Sequence, residues 1–300
     1  MTAEERKGVA LAVLGFAILS SGDAVVKSMA GAWPAFAVAA LRFTFGALAL
    51  SLLLLRFEGP RAFVPQKPWL QVARGVCLAI SSTCFFSAIY LMPLAEAMAI
   101  GFLSPVLTQV LAGVLLGERV RRAVWGASAV SLIGVAIILR PNLMVLGAAA
   151  FLPLVSAFFF ALTMVANRAS AGQGSALSMQ VFIAGVCAPL LILVALGAKL
   201  SGLPALDLSW DIVARCAVVA FTASTAHWLA YVGTMKAGAA QVAPAIYVQM
   251  LVAVLMGWWW FGDRPDVYTF AGGALIIGAG LYLWRDGVLQ SRASAVAVVR

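Results

Sequence analysis

The sequence predicts an all-α integral membrane protein: ten transmembrane helices built as two inverted five-helix repeats. Three observations carry that prediction. The 300-residue chain is 64% hydrophobic and only 10% charged, whereas a soluble domain carries roughly 25% charged residues. Apolar runs recur along its whole length, and each reaches the ~20 residues that a bilayer-spanning helix needs. A segment of the first half also reappears in the second.

Taken in order, spans are expected at about 8–29, 34–55, 69–91, 95–116, 122–140, 146–168, 175–198, 211–235, 240–261 and 266–284. The first follows MTAEERK and resembles a signal peptide only superficially. Its apolar stretch runs to about Met29 and contains Asp23 and Lys27, while a signal h-region is 7–15 residues. Midway along the fourth span Pro105 follows Ser104. A proline there removes an intrahelical hydrogen bond, so the site is either a hinge or a passive bend. Gly113 and Gly117 in GVLLG form a small-xxx-small packing contact. The fifth and tenth spans, with GASAVSLIG and GGALIIGAG, are expected to pack closely at the back of the bundle or at a dimer contact. Connections are short, the longest at about 56–68 and 199–210. They leave no room for a catalytic domain outside the membrane.

Ten spans put both termini on one side. That side collects thirteen basic residues: Arg6, Lys7, Arg56, Arg61, Lys67, Arg119, Arg121, Arg122, Arg168, Lys236, Arg285, Arg292 and Arg300. The other side holds four, Lys27, Arg140, Lys199 and Arg264. Basic residues favour the cytoplasm, so cytoplasmic termini are expected. Eight tryptophans fall at span ends, as interfacial belts require: Trp33, Trp210 and Trp258 to Trp260 outside, Trp69, Trp125 and Trp284 inside. Trp228 alone lies mid-span.

The internal repeat fixes the architecture. SSTCFFSAIYLMPLAEA (81–97) aligns with ASTAHWLAYVGTMKAGA (223–239) at a constant offset of 142. Gly117-Glu118-Arg119 parallels Gly262-Asp263-Arg264, and Gly126 and Gly134 parallel Gly272 and Gly280. Five spans per half is an odd number, so the second half enters the membrane upside down. Residues 1–141 and 142–286 are expected as the two repeats and 287–300 as a cytoplasmic tail. Inverted repeats mark many secondary transporters, whose substrate sites lie near the midplane between them.

These two halves resemble EamA units of the drug/metabolite transporter superfamily. The resemblance rests on Arg42 in ALRFTFGAL, Pro105 in GFLSPVL, Gly117-Glu118 and the pair Gly126 and Gly134. The second half departs from the pattern, with Asp263 for the glutamate and Met250 near where Pro105 would map; Pro244 lies six residues earlier. The resemblance implies export of small metabolites across the inner membrane. Length and aromatic content are similar to the YddG-type aromatic amino-acid exporters within it.

Other classes find little support. The net charge of +9 is spread over short loops and forms no nucleic-acid stripe. Cys77, Cys84, Cys187 and Cys216 all lie in apolar runs and fit neither a disulfide framework nor metal spacing. P-loop, GxSxG, HExxH and paired CxxC motifs are absent from the sequence. No cofactor or metal is expected. The partners are a small-molecule substrate, the lipid bilayer and, as candidate coupling ion, the proton; monomer and homodimer stay open.

Polar residues inside the spans are the site candidates. His227 is the only histidine; it either lines a cavity or bonds a neighbouring hydroxyl. The repeat sets His227 opposite Phe85 and Trp228 opposite Phe86, giving aromatic faces for a flat substrate. Asp23 and Lys27 share a helix face. Arg42 matches Asp23 in depth to ~4–5 Å, which makes them either a buried structural ion pair or groups that meet substrate or a proton. Gln249, Tyr247, Thr83 and Tyr90 are uncharged polar groups, ligands or glue between helices. Asn167 and Gln180 sit towards an inner gate. Three functions compete: a secondary exporter of amphiphilic metabolites, a lipid or polyisoprenoid flippase, and an intramembrane enzyme using His227 and Asp23, which the unequal depths of those two residues disfavour.

Overall fold

A backbone in hydrocarbon must satisfy its polar groups within one helix or a closed barrel, and this chain takes the helical solution throughout. The computed structural model describes residues 3–117, 120, 122–170, 172–200 and 209–299. Glu118, Arg119, Arg121 and Arg300, used above for repeat and topology, lie outside the described residues, as does the side chain of Arg292. Twelve α-helices run α1 Ala3–Lys27, α2 Ala35–Phe57, α3 Pro68–Leu91, α4 Leu94–Gly101, α5 Ser104–Leu116, α6 Arg122–Leu146, α7 Leu152–Ala169, α8 Ala176–Leu200, α9 Trp210–Ala237, α10 Ala239–Val242, α11 Val248–Phe261 and α12 Val267–Val299. Ten stretches of the described residues are long and apolar enough to cross a membrane.

Two spans are broken. The fourth is α4 plus α5, interrupted at Phe102 and Leu103 with Pro105 in the first turn of α5. The ninth is α10, a 3₁₀ turn over Ala243–Tyr247 containing Pro244, and α11. Pro244, not the position of Met250, is therefore the partner of Pro105. The two breaks meet: the rings of Phe102 and Tyr247 pack edge to face with centroids 5.3 Å apart. Both spans end alike, on left-handed glycines, Gly117 at φ 69° and Gly262 at φ 68°, the conformation that terminates helices cheaply only without a Cβ.

Ends differ modestly from expectation. The fifth span continues past Arg140 to Leu146, and the last helix continues to Val299 through the expected tail. Trp33, assigned to the outer belt, is 6% exposed and belongs to the main core cluster instead.

Close helix contacts use glycine, because apolar side chains gain nothing by leaving lipid for one another. The tightest is α1 against α9. A Cβ at Gly8, Gly15 or Gly22 would lie within 2.8 Å of Ala237 and Gly233, of Ala226, or of Thr222, respectively. Those glycines are spaced by seven, one face of one helix. α6 packs on α12 the same way, through Gly134 and Gly272, each against the other's carbonyl. This places the fifth and tenth spans against one another. α2 packs on α8 and α3 on α7, the latter tied by Ser81 and Ser156, whose hydroxyls donate to each other's backbone carbonyls at 3.0 and 2.9 Å. These principal pairings are unchanged when each span is exchanged for the one five places on.

Candidate functional site

α1 carries a polar stripe at Ser20, Asp23 and Lys27, spaced i, i+3, i+7, of which Ser20 and Lys27 reach the ninth span and the turn after it. Ser20 Oγ donates to the Gln249 carbonyl at 3.0 Å, and Gln249 itself is buried. Lys27 Nζ reaches Asp263 Oδ2 at 2.5 Å, just past α11, and also donates to the Met92 carbonyl at 3.0 Å. The Leu94 amide donates to the same Asp263 oxygen at 3.3 Å, and the Phe261 ring lies 5.1 Å from the ammonium. One ion pair therefore gathers α1, the turn between α3 and α4, and the turn after α11. It lies at the end of the bundle away from the N-terminus. Lys27, which the spacing pairs with Asp23, bonds across 236 residues to Asp263 instead.

Deeper in, Asp23 is 9% exposed. No ion pair within contact distance joins it to Arg42, whose guanidinium lies over the rings of Phe43 at 5.2 Å and Phe86 at 5.4 Å. The field of Arg42 nevertheless reaches Asp23 on α1, Cys187 on α8 and His227 on α9. The pair expected from depth is thus not a contact ion pair but an interaction through space.

His227 is exposed on α9. Its Nδ1 lies 2.6 Å from the Ala223 carbonyl. A carbonyl only accepts, so Nδ1 carries the proton and Nε2 is left as an acceptor. On α3, Thr83, Phe86 and Tyr90 share a face. Phe86 lies under Arg42, while Thr83 Oγ1 and Tyr90 Oη are buried with no hydrogen-bond partner among the described residues. Buried hydroxyls are normally bonded, so an orphaned pair two turns apart on the face that carries Phe86 can serve a ligand.

The structure thus gathers Asp23, Arg42, His227, Phe86, Thr83 and Tyr90. Phe85 packs beside Phe86, centroids 6.3 Å apart. Trp228 is not brought in: it is 63% exposed and shares its side of α9 with Phe221 and Met235, opposite the face that buries against α1. Pro105 marks the break in the fourth span rather than the charged cluster. A surface groove of about 630 Å³ lies apart from the cluster, between α1, α9 and α11, lined by Val25, Ser28, Arg215, Trp260 and Phe261.

Sequence reasoning missed Arg74. It is 3% exposed, near the start of α3. Its Nε donates to Asn167 Oδ1 at 2.7 Å, and its Nη1 to Gln71 Oε1 and towards Met179 Sδ at 3.4 Å. In the sequence it passes for one more basic residue near a span end. Only its burial separates it from the rest. Gln180, the other gate candidate, is exposed.

Comparison with known proteins is consistent across most of the chain. The EamA-like transporter family profile matches twice, over residues 6–140 and 147–284. The pseudopaline exporter CntI of Pseudomonas aeruginosa is 30% identical over 283 residues, 93% of this chain and 96% of that one. A riboflavin transporter of Rhizobium johnstonii is 28% identical over 264 residues, 88% and 85% of the two chains. An S-adenosylmethionine uptake transporter of Rickettsia prowazekii is 24% identical over 276 residues, 92% of each. A crystal structure at 23% identity superposes with a TM-score of 0.58, covering 92% of this chain and 96% of that one, a likeness of fold alone.

Proposed function

The chain belongs to the EamA-like transporter family and is a multi-pass membrane transporter, not an enzyme; from that premise we propose that it exports amino acids with aromatic or other apolar side chains. The observation that carries the proposal is the central cluster. Arg42 and Asp23 stand within each other's field but out of contact, with the Phe86 ring below the guanidinium. In this reading a zwitterion binds between them: its carboxylate meets Arg42, its ammonium meets Asp23 and the Nε2 lone pair of His227, and its side chain lies along Phe86 and Phe85. Thr83 and Tyr90 supply the remaining hydrogen bonds. Each contact replaces water that a charged group would otherwise have to shed at a cost.

The same arrangement supports alternating access. The Lys27–Asp263 pair holds one end shut, and its rupture exposes the central groups to that side. Export with cytoplasmic termini agrees with the thirteen-to-four basic bias and with the direction named for the pseudopaline exporter. Riboflavin and S-adenosylmethionine, named for two other relatives, each contain a flat ring system, and the second ends in an amino acid, the two chemical features this cluster accommodates.

The test is counterflow in liposomes. Protein loaded with unlabelled L-phenylalanine should accumulate labelled L-phenylalanine and L-tryptophan, and L-leucine more slowly. Arg42→Gln should abolish this with folded yield preserved. No counterflow of any labelled amino acid above protein-free liposomes would sink the substrate assignment. Transport only into right-side-out vesicles would sink the direction.

A further inference from the structure

One buried charge that the central cluster leaves unused is Arg74. Its position on α3 makes it the inner counterpart of Cys216 on α9, by the offset of 142 that relates the two halves. Cys216 fills its place as a small buried side chain, with Sγ 3.9 Å from Met29 Sδ. The fold therefore asks for nothing charged at that position. Arg74 has been placed there, 3% exposed, without a carboxylate in contact among the described residues. Its neighbours are amides and thioethers: Asn167 Oδ1, Gln71 Oε1 and Met179 Sδ. They bond Nε and Nη1, while Nη2 meets no acceptor among the described residues. Asn167 is steadied in turn by its contact to Met164 Sδ at 3.8 Å. A guanidinium offers five donors in a planar fork that matches a carboxylate, and a buried charge is retained without a counter-charge only at a cost.

We infer that Arg74, oriented by Gln71 and Asn167 where α3, α7 and α8 meet at the N-terminal end of the bundle, is an anion-binding subsite that takes the carboxylate of an organic acid or amino acid. It lies at the opposite end of the bundle from the Lys27–Asp263 closure. A carboxylate held there is a substrate waiting at one mouth while the other is shut. The inference rests on the transporter family and not on the amino-acid assignment. A lipid phosphate is the other anion that reaches a span end, and the experiment separates the two.

Thermal unfolding of the delipidated, intact protein in neutral detergent is followed with three probes: sodium benzoate, benzamide, and micelles doped with phosphatidylglycerol. Benzoate should raise the unfolding midpoint, and uncharged benzamide should not. Arg74→Gln should weaken benzoate binding about tenfold or more, the scale of losing hydrogen bonds from a charged group. Arg74→Cys copies the residue of the other half, so it should fold in normal yield and lose the benzoate response as well. Equal benzoate stabilisation of the wild type and Arg74→Gln would overturn the inference. So would stabilisation by phosphatidylglycerol alone, which makes the subsite a lipid contact, and so would failure of both variants to fold, which makes Arg74 a strut. A wild type that binds benzoate through Arg74 but carries no amino acid would keep this inference and discard the amino-acid assignment.

Discussion

Replacing Lys27 by methionine should unlatch one end of the transporter. Methionine keeps length and apolar stem but removes the charge. Two hydrogen bonds go with it, to Asp263 Oδ2 at 2.5 Å and to the Met92 carbonyl at 3.0 Å. Asp263 then keeps only the Leu94 amide at 3.3 Å. The pair is neither superficial nor fully enclosed, its side chains being 11% and 18% exposed. Breaking a buried pair by removing one partner costs about 3–5 kcal/mol, and an exposed pair contributes about 0–1 kcal/mol. At these exposures about 2–3 kcal/mol is expected, which is about 30- to 150-fold in the ratio of open to closed ends. A reporter cysteine at Met92, itself 3% exposed, reads that ratio. Its modification by a membrane-impermeant maleimide is proportional to the open fraction when opening is fast. The rate should rise by that factor in Lys27→Met and return towards the starting value in Lys27→Arg. The protein without the Met92→Cys substitution serves as the blank. Rates within about twofold of each other in all three would refute the latch.

Gly15→Val should destabilise the fold by about 1–3 kcal/mol, the usual cost of overpacking, since a Cβ there would sit 2.7 Å from the Ala226 carbonyl oxygen; Gly46→Ala, with nothing within 4 Å, should leave the melting temperature unchanged. Phe86→Leu should weaken aromatic substrates relative to L-leucine by about 0.5–1.5 kcal/mol of lost ring contact, measured as competition in counterflow. Trp228→Ala should leave that selectivity alone, because its indole points away from the cluster; a shift as large as that of Phe86→Leu would put Trp228 back in the site. His227→Ala should slow transport of every amino acid at normal folded yield, since Nε2 is the acceptor it removes.

Span count and repeat were readable from the sequence because hydrocarbon thickness dictates length and each half obeys it separately. Azimuth was not. In water a helix announces its buried face by polarity, but in lipid both faces are apolar, and the rotation of Trp228 on α9 left no trace in composition. What does mark a buried face here is size: Gly8, Gly15 and Gly22 recur every seven residues and point at α9. Lys27 was read locally because four-residue spacing is visible in a sequence, while a partner 236 residues away is not. Pro105 located the break in the fourth span, and the departure at Met250 concealed that Pro244 does the same in the ninth. Asp23, Arg42 and His227 were identified by being rare in their surroundings. Arg74 stayed hidden because arginine near a span end is common.

The seam between α1 and α9 also has a history during synthesis. The ribosome finishes α1 long before α9 exists, since Gly15 must wait for Ala226 and Ser20 for the Gln249 carbonyl. At about 5–20 residues per second, the roughly 200 residues between them take about 10–40 s to make. Through that interval the nascent first helix carries Ser20 and a bare glycine seam, with none of the partners that later satisfy them. It must be sheltered beside the insertion machinery or bide its time as a loosely held span. The amino-terminal half made on its own should therefore be cleared by membrane proteases, and co-production of residues 142–300 as a separate chain should rescue it.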